Sequence, residues 1–401
     1  MPRNIVICFD GTNNQFGPEN TSVVRVAQII DRDPVTQRLY YDPGVGTLAE
    51  PGVSSQVGGW LSKVAGLAFG RGLSWKVQEA YGYLMDFWEP GDSVFVFGFS
   101  RGAYSARVLA GLLHALGLLP RGNQNLVPYV MRLYGAMRDE RRQGSRGSSA
   151  PDAMSWTELC AAFRWSFARV VPDDPEDQRH FPVHYLGVWD TVASVGWAWD
   201  PVKYPFTARN PSVRHVRHGL AIDERRWFFR ENRMYPAEGQ RFEQRWFPGV
   251  HSDIGGGYPV QDGGLWRGPF EWLIDGALSA GLRLDPARRE KVAPSPPPQT
   301  TCLERKHESL VGSWWLAEYF PKQRWSPERR REEWAVGAGR YRSIRPGDLL
   351  DEGALIRLRD DPTYRPKNLD PRFVSFVRAL PVVTGPLPYA PAAPATAEVA
   401  V

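Results

Sequence analysis

The sequence predicts an open, mainly parallel α/β sheet with helices packed on both of its faces. Short apolar runs alternate with longer segments of helical spacing along the 401-residue chain, which is the pattern of strands joined by crossover helices. The run Val94–Phe99 is almost purely apolar, as is typical of a strand buried on both faces of a parallel sheet. Several runs end at a polar residue, and function in such sheets gathers at the carboxyl ends of the strands.

The predicted elements follow from hydrophobic spacing and from turn residues. In chain order the predicted strands are Ile5–Phe9, Arg38–Tyr41, Val94–Phe99, Val183–Trp189 and Gln244–Phe247. The predicted helices are 21–30 (capped by Thr21 or Ser22), Ser74–Trp88, Arg101–Leu119, Tyr129–Arg142, Ser155–Val170, Ser212–Asp223, Pro269–Leu282 and Ser309–Tyr319.

These elements divide the chain into a main unit and a C-terminal extension. The main α/β unit covers residues 1–290, with helical insertions at about 120–180 and 195–212. The proline-rich stretch Pro294–Gln299 falls near the start of the extension, residues 291–380. Residues 381–401 are rich in proline and alanine, and we expect them to form a loose tail.

Composition excludes several classes of function. Hydrophobic residues make up 42% and charged residues 23% of the chain, which is ordinary for a globular protein. The net charge of +5 is too small for this length to indicate nucleic-acid binding. Cys8, Cys160 and Cys302 are far apart and form no CxxC pair, so neither a disulfide framework nor a zinc site is expected. With no P-loop pattern either, we expect no metal and no cofactor.

The apolar segments are too short for a membrane span or a cleaved leader. The first apolar run ends at Asp10, before it reaches the length of a signal-peptide core. The longest one, Val108–Leu119, is shorter than the roughly 20 residues that a bilayer requires. We therefore expect a soluble protein that is cytoplasmic in the cell producing it, so that any export would be independent of a signal peptide.

The strongest motif is Gly98-Phe99-Ser100-Arg101-Gly102, which matches G-x-S-x-G. An apolar strand precedes it and a helix rich in small residues follows it, as in a nucleophile elbow. Such a turn exposes the serine hydroxyl, and the flanking glycines make room for close packing of helix and strand. Ser100 is therefore the candidate nucleophile, and the alternative is a packing turn whose serine only caps the helix.

A nucleophilic serine needs a base and an acid that orients the base. Of the seven histidines, His251 alone follows a predicted strand directly and opens a glycine-rich turn, so it is the candidate base. Asp190 ends the strand Val183–Trp189 and is the preferred acid. Asp253 is a competitor, but two residues from His251 it is more suited to shaping the turn, and Asp223 is a weaker third candidate.

The end of the first predicted strand, Asp10-Gly11-Thr12-Asn13-Asn14, suits an oxyanion hole. In enzymes with a nucleophile elbow, one hydrogen-bond donor to the oxyanion is the amide after the serine, here that of Arg101. Another donor comes from a loop after an early strand. Gly11 and Thr12 could supply that second donor. Alternatively, Asp10 and Thr12 simply cap the next helix and bind loop amides.

Four motifs in this order resemble a known family of hydrolases. They are Phe9-Asp10-Gly11-Thr12-Asn13-Asn14, Gly98-Phe99-Ser100-Arg101-Gly102-Ala103, Gly187-Val188-Trp189-Asp190-Thr191-Val192 and His251-Ser252-Asp253-Ile254-Gly255-Gly256-Gly257-Tyr258. The set, over about residues 3–260, resembles the α/β-hydrolase domain of the type VI secretion phospholipase effectors of the first lipase family. The resemblance implies an α/β-hydrolase fold, acyl-ester hydrolysis with phospholipids as substrates, and a triad of Ser100, Asp190 and His251. A membrane surface and a secretion apparatus are the partners it implies.

Three other functions compete with this interpretation. Asp10-Gly11-Thr12 also resembles the D-x-D-G-T opening of magnesium-dependent phosphatases, but Cys8 stands where the nucleophilic aspartate would be. A second alternative is an α/β-hydrolase fold that only binds a partner, which would usually lack an intact triad. The third is an esterase on non-lipid substrates such as polyesters or acylated glycans.

The segment Ser309–Phe320 is unusually aromatic for a surface helix. Leu310, Trp314, Trp315 and Tyr319 span several faces of the predicted helix, and such a helix must be buried on two sides or face lipid. We expect it to fold back near the strand ends and cover part of the cleft as a lid. The alternative is a helix packed on the back of the sheet.

Overall fold

The computed structural model describes residues 2–11, 17, 19–44, 67–144, 154–172, 179–192, 196–197, 200–201, 204–294, 299–326 and 331–391. Within this part of the chain the main sheet has eight strands: β1 (Asn4–Phe9), β2 (Gln37–Asp42), β3 (Ser93–Phe99), β4 (Val183–Trp189), β5 (Val213–Ala221), β6 (Arg241–Phe247), β7 (Leu349–Leu350) and β8 (Leu387–Pro388). Their order is β8-β7-β6-β5-β4-β3-β1-β2. All neighbours are parallel except β7 and β8, which confirms the predicted fold class.

The helices lie on both faces of the sheet. They are α1 (Ser22–Ile29), α2 (Leu67–Phe87), α3 (Arg101–Leu116), α4 (Val127–Gly144), α5 (Trp156–Phe167), α6 (His251–Gly255), α7 (Arg267–Ser279), α8 (Pro286–Val292), α9 (Trp314–Ala317), α10 (Glu352–Asp360) and α11 (Pro371–Arg378). As predicted, Thr21 caps α1, with its Oγ1 accepting from the Val24 amide at 3.2 Å.

The alternation of side chains along β1 separates two cores. Ile5, Ile7 and Phe9 pack with residues of α2, α3, α4 and α5 on one face, while Val6 and Cys8 pack with α1 and α7 on the other. Successive side chains of a strand point to opposite faces, so a run that is apolar at every position requires cover on both. The continuous apolar runs in the sequence therefore predicted this arrangement correctly.

The predicted helix Ser212–Asp223 is wrong, because the structure places strand β5 there. Val213 and Val216 have the spacing of a helix face, but the segment pairs in register with β4 and β6 on its two sides. The polar residues that obscured the strand are satisfied inside the sheet. His218, for example, is fully buried between Gln244 Oε1 at 3.0 Å and Thr191 Oγ1 at 3.1 Å.

The C-terminal segment belongs to the same sheet as the main unit. β7 extends the parallel sheet beside β6, and α10 and α11 pack with Trp246 and Leu220 in a third core. Part of the predicted loose tail is ordered, because β8 forms an edge strand and the neighbouring Tyr389 is buried in this core, and residues 392–401 lie outside the described residues. The extension that the sequence set apart at residue 291 thus completes the sheet.

The predicted helix Ser309–Tyr319 is only one turn long, α9. Gly312 has a φ of 55°, a left-handed conformation that interrupts an α-helix. Before it, the Ser309 hydroxyl donates to Glu224 Oε1 at 2.8 Å. In the part of the chain that the structure describes, two short antiparallel pairs lie outside the main sheet: Gly196–Trp197 with Asp200–Pro201, and Lys322–Ser326 with Arg331–Ala335.

Among the described residues, none of the helices has both the length and the apolar character needed to cross a membrane.

Candidate active site

The strands of the sheet bring the polar residues predicted from the sequence to one edge. Pairing in register aligns the carboxyl ends of β1, β3, β4, β5 and β6 side by side. Asp10, Ser100 and Asp190 each follow a strand directly, and His251 comes four residues after β6. From β1 the chain adds β2 on one side, and it then crosses back to add β3 and the later strands on the other side. Open α/β sheets form their crevice at such a switch point.

Ser100 sits on a strained turn between β3 and α3. Its φ is 59° and its ψ is −121°, a region that residues other than glycine rarely adopt. A Cβ on Gly98 would come within 2.6 Å of the Gly102 carbonyl oxygen, and one on Gly102 would collide with the carbonyl oxygens of Phe9 and Asp10. Both glycines of the motif are therefore needed for close packing of α3 on the sheet, as the sequence predicted.

His251 is the first residue of α6, and its ring lies beside Ser100. The Nε2 atom is 2.8 Å from Ser100 Oγ, and the ring of Phe99 stacks on the imidazole with centroids 4.6 Å apart. Burial lowers the pKa of His251 below its ordinary value, and the hydrogen bond to Asp190 only partly opposes this shift. The imidazole is consequently neutral at neutral pH, as a proton acceptor must be.

Asp190 is completely buried and hydrogen-bonded to the other ring nitrogen. Its Oδ2 is 2.5 Å from His251 Nδ1, and its Oδ1 accepts from the Ala221 amide at 2.9 Å. Burial alone would raise its pKa, but the charge of Arg342 and the bonds to His251 hold the pKa of Asp190 below its ordinary value. The carboxylate therefore fixes the tautomer, with Nδ1 carrying the proton and Nε2 facing the serine.

The two competing aspartates have other partners. Asp253 Oδ1 pairs with His307 Nδ1 at 2.6 Å, and its Oδ2 accepts from the Val250 amide at 2.9 Å, so it shapes the start of α6. Asp223 accepts from the Gly249 amide at 2.7 Å and from the Tyr364 hydroxyl at 2.9 Å. Asp190 is thus the aspartate that is hydrogen-bonded to the His251 ring.

The loop expected to form an oxyanion hole is organised around Asp10. Its carboxylate accepts from the hydroxyls of Thr21 and Tyr41, each at 2.9 Å, and from the Gly11 amide at 2.7 Å. The Gly11 amide is therefore engaged by Asp10 in this conformation, and Thr12 lies outside the described residues. Arg101, whose amide is the other expected donor, is the first residue of α3 and directly follows Ser100.

Two charged residues of the site were missed by sequence reasoning. Arg342 donates to both carboxylate oxygens of Asp190. Glu224 is fully buried, accepts from the His251 amide at 3.2 Å and binds the Arg226 guanidinium. Neither residue belongs to a motif, and the sequence carries no signal that would separate Arg342 from the other arginines.

The aromatic segment Ser309–Phe320 reaches the site through a chain of ring contacts. Phe229 lies edge-on to His251 at 4.9 Å, and Trp314 lies edge-on to Phe229 at 5.4 Å between centroids. The segment therefore lies at the carboxyl end of the sheet, beside the predicted base. Within the described residues, no cluster of three or more histidine, cysteine, aspartate or glutamate side chains could hold a metal ion.

The parallel sheet, the strained serine turn and the hydrogen-bonded histidine together place the chain in the α/β-hydrolase fold class. A family model described as "T6SS, Phospholipase effector Tle1-like, catalytic domain" matches residues 3–276. The chain belongs to this family, which confirms the resemblance seen in its motifs.

The individual proteins to which this chain is similar match only part of it. An uncharacterized protein of Saccharomyces cerevisiae, YEL023C, is 33% identical over 236 residues, which are 57% of this chain and 32% of that protein. The chain thus spans about a third of the length of this curated relative. Two solved structures are similar to 75% of the chain, each with a TM-score of 0.45 and 17% identity: an uncharacterized protein from Pseudomonas aeruginosa, 50% of which is covered, and the Tle1 effector bound to the VgrG spike of the type 6 secretion system, 77% of which is covered.

Proposed function

We propose that this chain is a serine hydrolase that cleaves acyl esters of phospholipids through Ser100, His251 and Asp190. The observation that carries the proposal is the hydrogen-bond series from Ser100 Oγ to His251 Nε2 at 2.8 Å and from His251 Nδ1 to Asp190 Oδ2 at 2.5 Å. Nucleophile, base and orienting acid are thereby in contact in the order that acyl transfer requires.

The reaction follows from this geometry in two halves. His251 Nε2 takes the Ser100 proton while Oγ attacks the ester carbonyl, and Asp190 stabilises the imidazolium that forms. The Arg101 amide, at the positive end of α3, stabilises the oxyanion. Collapse releases the alcohol, which receives the proton from His251, and leaves an acyl group on Ser100. Water, activated by the same histidine, then releases the fatty acid.

The choice of phospholipid as substrate rests on the family and on the surface around the site. Trp315, Leu316, Tyr319 and Phe320 expose between 42% and 69% of their surface, although large apolar side chains are usually buried. Such a rim suits an apolar acyl chain or a membrane surface. Association with a secretion apparatus and synthesis in the cytoplasm are further parts of this proposal.

A fluorophosphonate probe tests the proposed nucleophile. The wild-type protein is expected to gain one probe, located on Ser100 by peptide mass, and to release fatty acid from phospholipid vesicles in the presence of EDTA. Ser105→Ala is the matched control. Ser105 lies on α3, which begins directly after Ser100, and its hydroxyl donates to the Arg101 carbonyl at 3.3 Å. Labelling that survives Ser100→Ala and is lost in Ser105→Ala would contradict the assignment.

Substitutions in the aromatic segment test whether it acts as a lid. Trp315→Ala is expected to lower hydrolysis of vesicles or long-chain esters severalfold more than hydrolysis of a soluble acetate ester, because its exposed ring would contact lipid. Trp314→Ala should affect both substrates, since Trp314 supports Phe229 against His251. Parallel losses on both substrates in Trp315→Ala, together with a lower Tm, would instead indicate a packing role.

A further inference from the structure

Arg342 lies outside the residues matched by the family, 3–276, yet it touches the innermost residue of the site. It belongs to the C-terminal segment shortly before β7, and only 1% of its side chain is exposed. Its Nη1 and Nη2 donate to Oδ1 and Oδ2 of Asp190, respectively, the second at 2.9 Å. This fork-to-fork pairing is the strongest geometry between an arginine and a carboxylate.

Every donor of Arg342 is used. Besides Asp190, Nη1 donates to the Ala221 carbonyl at 3.3 Å, Nε donates to the Phe229 carbonyl at 3.1 Å, and Nη2 also donates to Phe229. A guanidinium has five N–H groups, and these contacts account for all five. The same side chain therefore fixes the acid and also the backbone of Phe229, whose ring packs against His251.

We propose that Arg342 is a positioning residue of the hydrolase, which keeps Asp190 ionised and aimed at His251. This inference rests on the proposed function, and it makes the C-terminal segment part of the catalytic unit. A buried carboxylate without a cation tends to take up a proton, and a protonated Asp190 could neither fix the imidazole tautomer nor stabilise the imidazolium.

The charge of Arg342 also sets the pH range in which Asp190 is ionised. Burial raises the pKa of this carboxyl and the arginine lowers it, so without the arginine Asp190 would take up a proton at a higher pH. The other ionisable groups that act on the Asp190–His251–Arg342 group are Glu224, Arg226, Glu231 and His218. All four remain when Arg342 is replaced, so a change in pH dependence reports on Arg342 itself.

The test compares kcat, KM and pH profiles on p-nitrophenyl acetate. This soluble ester has no long acyl chain that would need to contact the aromatic segment Ser309–Phe320. Arg342→Met is expected to lower kcat by about 10²-fold or more with little change in KM. The acidic limb of its kcat/KM profile should move to higher pH by about one unit, because Asp190 must be ionised to support His251 and the pKa of Asp190 rises without the arginine. Arg342→Lys keeps the charge but cannot bridge both oxygens, so a roughly 3- to 10-fold lower kcat with an unmoved limb is expected.

Arg233→Met is the matched control. Arg233 is also a buried arginine that pairs with both carboxylate oxygens of an aspartate in the C-terminal segment, Asp348, at 2.6 and 2.8 Å. Its loss should lower Tm without moving kcat or the pH limb at temperatures well below Tm. In an Asp190→Asn background, Arg342→Met should cost at most about 3-fold more, because the two residues act as a unit.

Three results would overturn the inference. One is an Arg342→Met variant that matches Arg233→Met in both kcat and pH profile. If Arg342→Met does not fold, an Arg342→Lys variant with wild-type kcat has the same force. The third is a further loss of kcat on adding Arg342→Met to Asp190→Asn that is as large as the loss Arg342→Met causes in the wild-type protein. Failure of the proposed function is distinct from all three. In that case the wild-type protein and the Ser100→Ala variant would show the same hydrolysis or the same probe labelling.

Discussion

Replacing His251 with alanine is expected to lower kcat by about 10⁵- to 10⁶-fold on both a soluble ester and phospholipid vesicles. His251 Nε2 is 2.8 Å from Ser100 Oγ, and a neutral serine hydroxyl is a poor nucleophile without a base to take its proton. Some rate above that in water should remain from binding and oxyanion stabilisation. The measurement is steady-state hydrolysis, with Tm checking that the variant is folded.

His307→Ala is the control for this prediction. His307 also pairs with an aspartate, Asp253, at 2.6 Å, whereas Ser100 Oγ is hydrogen-bonded to His251. It should therefore keep kcat within about tenfold of wild type. The double variant Ser100→Ala/His251→Ala should be little worse than either single one, because nucleophile and base act as a unit. A crippled His307→Ala with an active His251→Ala would reverse the assignment of the base.

The central strands could be predicted because burial on both faces leaves a clear pattern. β1, β3 and β4 contain continuous apolar runs, and their side chains fill two separate cores. β5 could not be predicted, because its arginines and histidines are polar in sequence but satisfied within the fold. Arg217, for instance, donates to Glu243 at 3.1 Å and covers the ring of Trp272. Local pattern cannot reveal a partner that lies on another strand.

The candidate site residues were predicted from their residue type together with their position at the end of a strand. Ser100 and Asp190 directly follow buried strands, and His251 comes just after another, so the parallel topology alone brings them to one edge. Arg342 and Glu224 follow no such rule. They reach the site across long sequence separations, and only the structure shows that they are buried beside Asp190 and His251. Motifs reveal groups that carry out chemistry more readily than groups that hold them in place.

Asp190→Asn is expected to lower kcat by about 10⁴-fold while the fold is retained. An asparagine fits the same space, but its amide cannot stabilise the imidazolium. If its NH₂ group faces Nδ1, it also favours the tautomer that puts the proton on Nε2, toward Ser100. Arg342 would then lose its charged partner, which should lower Tm as well.

Asp253→Asn separates this effect from the general loss of a buried carboxylate near the site. Asp253 is also buried and also binds a histidine, yet its partner is His307. Because the Asp253 variant removes a similar carboxylate–imidazole hydrogen bond without changing the His251 tautomer, it should lose stability but keep kcat within about tenfold of wild type. The ratio of the two kcat values, measured on p-nitrophenyl acetate well below either Tm, isolates the contribution of charge and tautomer at His251. A benign Asp190→Asn beside a crippled Asp253→Asn would transfer the role of the acid to Asp253, and the short contact between Asp190 and His251 would then be structural.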